Sequence, residues 1–161
     1  MFNNPRRFGL ILSLLAASVI AVPSYAADDD AIGKAIKGRQ AGFQLYSFYA
    51  GQLFAMAKGE MDYNSELAAT LASNLSSVAN LNNGMMWLPK SDNVARAGDT
   101  RAKPEIWASD SDIGAKAAAM KDASAALASV AGEGLDALRS KIGDVGKSCK
   151  GCHDNFRAKD F

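Results

Sequence analysis

Along most of this chain, apolar residues recur at alternating steps of three and four, the spacing that gathers them on one face of an α-helix. The first such run goes from Asp28 to the region of Glu60. It passes through Ile32, Ile36, Arg39, Phe43, Tyr46, Ala50, Leu53 and Ala57 and stops at Lys58-Gly59. A second extends from about Asn64 to Leu81, with Leu67, Leu71, Leu75 and Val78 on its inner face, and Asn82-Asn83-Gly84 ends it. The third carries Ile113, Ala117, Met120, Ser124, Leu127 and Ala131 before Gly132 and Gly134 interrupt. The fourth has the cleanest stripe: Leu135, Leu138, Ile142, Val145, Cys149, Cys152 and Phe156. No segment alternates with the period of a strand, and alanine, a strong helix former, is abundant. The pattern predicts an all-α fold, an antiparallel four-helix bundle with a long loop between helices 2 and 3.

That loop, from Asn82 to about Ser109, contains Trp87, Pro89, Pro104 and Trp107 and is too apolar for a floppy linker. Two readings stand. It wraps across the open side of the bundle and shields the edge of something held there, or it is a surface loop whose tryptophans cap the core.

The front of the chain follows a different rule. Arg6 and Arg7 precede an apolar run from Leu10 to Val22, and Ser24-Tyr25-Ala26 supplies small residues at the positions a signal peptidase reads. Residues 1–26 are therefore expected to be a secretory signal, cut between Ala26 and Ala27, with an uncleaved anchor as the alternative. Residues 27–161 then form one domain with one core. Eighteen Lys and Arg against 17 Asp and Glu leave a net charge of +1, and no basic block points to nucleic acid. Once the signal is removed, no segment approaches the length needed to span a membrane.

The candidate chemistry sits in five residues, Cys149-Lys150-Gly151-Cys152-His153, which hold both cysteines and the only histidine of the chain. Cys-x-x-Cys-His is the attachment pattern of a c-type haem: two thioether bonds and one iron ligand. A thiol redox pair would call for a βαβ surrounding. A zinc site would need a further carboxylate or a second chain. A disulfide here would close a very small loop. Haem c, one per chain and covalently attached, is the expected cofactor, with His153 as axial ligand. Export agrees, because haem attachment needs a compartment outside the cytoplasm. Arg39 occupies a seam position where an apolar residue is due. A charge there is costly without a neutralising partner, and a haem propionate would serve.

With the motif at the end of the fourth helix, the chain resembles the cytochrome c prime family of periplasmic four-helix-bundle cytochromes. The resemblance covers nearly all of residues 27–161. It is carried by Gly38-Arg39-Gln40-Ala41-Gly42-Phe43, by Ala57-Lys58-Gly59-Glu60 with Tyr63, and by Lys103-Pro104-Glu105-Ile106-Trp107. Gly143-Asp144-Val145-Gly146 leads into the haem motif, and Arg157 follows one turn later. The resemblance implies that Cys149 and Cys152 form the thioethers and that His153 is the proximal ligand. It also implies that Arg39 and Gln40 lie near the propionates, with Arg101 a weaker candidate, and that Arg157 flanks the proximal side. The plainer reading of Arg157 is a solvent-facing residue favoured by the helix dipole.

Phe43 matches the position over the distal side of the iron, where methionine-ligated relatives have a sulfur. The resemblance therefore implies five-coordinate, high-spin iron in an apolar pocket; otherwise Phe43 is simply a core residue. Met56, Met61, Met85, Met86 and Met120 compete as ligands in principle, and only Met120 falls on a trusted seam, where packing explains it. Binding of nitric oxide or carbon monoxide follows as the expected function, with nitric oxide capture and redox cycling. Electron transfer between periplasmic partners is the alternative. Without a second histidine or an acid/base pair, an enzyme is not expected. The first helix is apolar nearly all round between Phe43 and Met56, through Leu45, Phe48, Tyr49 and Phe54 as well, so a homodimer is expected unless the long loop covers the second face.

Overall fold

A computed structural model describes residues 24–160, with side chains from Ala31 onward. Four helices form: α1 over Ser24–Lys58, α2 over Ser65–Ala79, α3 over Ile113–Ala128 and α4 over Leu135–Phe156. Each packs on its neighbour in sequence and α4 closes the ring against α1, so the bundle is antiparallel and up-and-down. Among the described residues there is no strand, and no helix is long and apolar enough to cross a membrane. Most of the expected leader lies outside the described residues. Its cleavage point, Ala26/Ala27, falls in the first turn of α1, which starts four residues before the periodicity placed it.

The boundaries have local causes. α1 stops because Gly59 takes φ +78°, which lets Glu60 N–H and Met61 N–H turn back to Ala55 O. α2 starts at Asn64, whose Oδ1 accepts the Leu67 N–H at 2.8 Å, an N-cap that satisfies an otherwise orphaned donor. Between α3 and α4 the chain passes so close to α2 that a Cβ on Gly132 would lie 3.0 Å from Ala69 Cβ. Tyr63 ties the same corner: its hydroxyl donates to Ala131 O at 2.9 Å and accepts from Gly134 N at 2.9 Å.

Leu53, Met56, Leu71, Leu75, Leu127, Leu138, Ile142 and Val145 make the core. The fourth-helix stripe is buried at Leu138, Ile142, Val145 and Phe156, as its period requires. α3 departs from the pattern. It ends at Ala128, Ala117 is exposed, and only Ser124 and Leu127 are buried within the helix. Ala131 is buried all the same, in the turn beyond the helix.

The long connection is ordered around two short 3-10 turns, Gly84–Met86 against α1 and Pro104–Trp107 against α4. It therefore bridges the first and last helices. Trp107 Nε1 donates to Trp87 O at 3.0 Å, and Ile106 is buried.

Candidate haem site

The last two turns of α4 carry Cys149, Cys152 and His153, all half-buried. Both cysteines are free thiols, and burial pushes the pKa of each upward. His153 is pushed the other way, first by burial and then by the charges of Arg157 and Arg101. A depressed imidazole pKa favours the neutral ring, the form that can bind a metal. Among the described residues no group of three or more His, Cys, Asp or Glu could hold a bare metal ion, so a zinc site would need ligands from a second chain.

Loop and tail meet beside His153. Ala102 and Arg157 form an isolated antiparallel bridge, Lys103 N–H donates to Phe156 O at 3.0 Å and Ala158 N–H to Arg101 O at 2.8 Å. Arg101 Nη1 lies 3.3 Å from Lys159 O. The Arg157 side chain is exposed, while its N–H donates to His153 O at 3.2 Å and ends the helix. Arg101 and Arg157 thus both sit near the imidazole, held there by backbone pairing.

A second group lies on α1. Arg39 is 4 % exposed, as its seam position implied. Its neighbours in this structure are uncharged acceptors of the loop: Nη1 donates to Met86 O at 3.1 Å and Ser91 Oγ at 2.7 Å. Nη2 donates to Ser91 O and to Thr100 Oγ1. Burial lowers the guanidinium pKa and the charge of Asp92 works against that. Next to it, Gln40 Nε2 donates to Asp99 O at 2.7 Å. Phe43, 45 % exposed, meets Tyr46 at 6.0 Å and the edge of Trp87 at 6.3 Å and 84° between ring planes.

Tyr46 joins the two groups. Burial and the nearby Cys149 sulfur both raise its pKa, and its hydroxyl points to Val78 O, 3.4 Å away. The sequence reading put Tyr46 on the seam without a role at the site. It had no signal at all for Ser91 and Thr100, ordinary loop residues that become acceptors for Arg39 only in three dimensions.

A family profile described as Cytochrome C' matches residues 34–157. The chain belongs to the cytochrome c' family. Cytochrome c-554 of Cereibacter sphaeroides is 36% identical over 146 residues, covering 91% of this chain and 95% of its own. Cytochrome c' of the same organism is 37% identical over 148 residues, covering 91% and 97%. The solved cytochrome c' from Rhodobacter superposes with a TM-score of 0.76 at 36% identity, over 80% of this chain and 98% of its own. Another solved cytochrome c', 33% identical with a TM-score of 0.72 over 80% and 97%, undergoes an unusual ligand-controlled dimer dissociation. A variant from Alcaligenes xylosoxidans, 30% identical with a TM-score of 0.68 over 80% and 97%, was solved with carbon monoxide bound.

Family membership makes this a c-type haem protein, and the residues present fit that group. Two free thiols stand one helical turn apart, the sole imidazole follows directly, and Tyr46 links them to an aromatic wall with a half-exposed ring. Relatives with two different names match almost equally well, so overall identity cannot choose between functions within the family.

Proposed function

We propose that this cytochrome c' is a periplasmic gas-binding haem protein, with iron held by His153, a covalent tether through Cys149 and Cys152, and Phe43 over the sixth position. The observation that carries this reading is the aromatic wall at Phe43, whose ring has no lone pair for a metal and is flanked by Trp87 and by Tyr46, with the Tyr46 hydroxyl turned to Val78 O. Of the competing methionines, Met61 packs against the core and Met85 is 79 % exposed. Met56 is fully buried in the core, Met86 packs on Gly38, and Met120 Sδ accepts from Ser148 Oγ at 3.1 Å. When bound, haem supplies a redox-active iron with one position open to a diatomic ligand.

Everything else is the work of the chain. His153, pushed toward its neutral form by burial and by Arg157 and Arg101, is suited to act as a ligand. Phe43 excludes water and gives no hydrogen bond, and the nearby Tyr46 hydroxyl is turned to Val78 O. Such a face discriminates against anions and against oxygen, which gains from a polar neighbour, and leaves nitric oxide and carbon monoxide. Capture with redox cycling is the role this face suits.

Protein recovered from the periplasmic fraction is expected to have a high-spin resting spectrum that changes on adding nitric oxide or carbon monoxide to the ferrous form. A low-spin resting spectrum indifferent to both gases would favour electron carriage and end the gas-binding reading.

Assembly follows from the outer side of α1. Leu45 is 42 % exposed and Phe48 61 %, the latter stacked edge-on with Tyr49 at 5.4 Å. The long loop packs on α1 around Gly38 and Arg39 and leaves Leu45 and Phe48 uncovered. A homodimer through this face is expected, and sedimentation of Phe48→Asp should show the monomer. Unaltered sedimentation would place the interface elsewhere.

A further inference from the structure

Among the described residues the buried polar side chains are Arg39, Ser91, Thr100 and Ser124, and three of these four form one knot. Arg39 is the centre of it. From α1 its guanidinium reaches four acceptors on three loop residues, Met86, Ser91 and Thr100. Its central carbon also sits 4.9 Å from the ring centre of Trp87 and 5.9 Å from that of Trp107. A planar cation with forked donors can stack on indoles and bond in its own plane at the same time; an ammonium cannot. The long loop is therefore folded around one side chain of the first helix.

Phe43 lies one turn beyond Arg39 on the same helix. The indole of Trp87 touches both: Arg39 stacks over its ring, and Phe43 meets it edge-to-face. The path from the buried cation to the distal ring is thus a single residue long. We infer that Arg39 is a positioning residue for gas entry: it clamps the loop so that Trp87 braces Phe43 and limits how far that ring can swing from the sixth position. This rests on the reading above, in which Phe43 covers the iron. It differs from the propionate role implied by resemblance, because the clamp works through the loop.

The test uses the holoprotein with carbon monoxide as probe, following rebinding after flash photolysis and amide exchange across residues 84–107. In Arg39→Met the loop amides should exchange faster, and association should quicken roughly tenfold, as loss of a stacked, hydrogen-bonded cation permits. Arg39→Lys should fall between Arg39→Met and the native protein. Trp87→Leu should quicken association to a similar degree while exchange near Ser91 and Thr100 stays slow, since Arg39 keeps its acceptors. Combining Arg39→Met with Trp87→Leu should add little further, as expected when two residues act along one path.

Faster loop exchange in Arg39→Met with unchanged carbon monoxide kinetics would overturn the inference and leave Arg39 a structural clamp only. A shifted midpoint potential with unchanged kinetics would overturn it in favour of a propionate role. Should Arg39→Met fail to fold, Trp87→Leu decides alone, and native kinetics there would overturn it. Native protein that takes up no carbon monoxide at all would instead sink the proposed function, and this inference with it.

Discussion

Replacing Phe43 with methionine is expected to convert a high-spin haem into a low-spin one and to weaken carbon monoxide binding by roughly a hundredfold, the scale on which a tethered internal ligand competes. Phe43 sits on α1 with its ring half exposed, braced by Tyr46 and by the edge of Trp87. Methionine is unbranched, of similar reach and adaptable, so it can occupy the same space without forcing the helix aside. What it adds is a thioether lone pair, a soft donor that binds haem iron opposite histidine. Absorption of the oxidised and reduced variant, with and without carbon monoxide, reads both effects. An unaltered spin state would mean that position 43 does not lie over the iron.

The fold and the site were unequally legible in the sequence. Helices announce themselves through periodicity: the α4 stripe of Leu138, Ile142, Val145 and Phe156 is buried as expected. The start of α2 was placed to within a residue, and the structure shows Asn64 capping it there through its side chain. Where side chains are small the signal fades. Alanines dominate α3, their burial contributes little contrast between faces, and Ala117 lies outside where periodicity put it inside.

The long-range contacts were the least readable. Arg39 stood out as a charge in an apolar seam, and it is indeed buried, but its acceptors lie 47 to 61 residues away, with nothing in the sequence to nominate them. The pairing of Ala102 with Arg157 is equally silent, since a single bridge has no period. Trp87 and Trp107 were recognisable as too apolar for a linker. That they stack on a buried guanidinium could be read only after the chain was folded.

The tether gives the other large effect. Changing Cys149 and Cys152 together to serine should abolish covalent haem attachment: extraction with acidified solvent should strip all colour from the polypeptide, and a haem stain of the denatured chain should be blank. The geometry makes this a clean experiment. The cysteines are unpaired, so no cross-link is lost, and both are half-buried rather than central to the core. Serine is close in size, and within a helix its hydroxyl can bond to the carbonyl one turn back. The bundle is built on Leu53, Leu75, Leu127 and Leu138, none of which the change touches, so helical content should survive when measured by circular dichroism. Each single variant keeps one sulfur and should retain haem on the denatured chain through one bond. Cys149 and Cys152 would hold the group through thioether bonds, each formed by addition of S–H across a vinyl group with no leaving group to dispose of. Colour that stayed with the denatured double variant would place the attachment on other residues. With these the only cysteines in the chain, it would also remove the chemical basis for a c-type haem at this site.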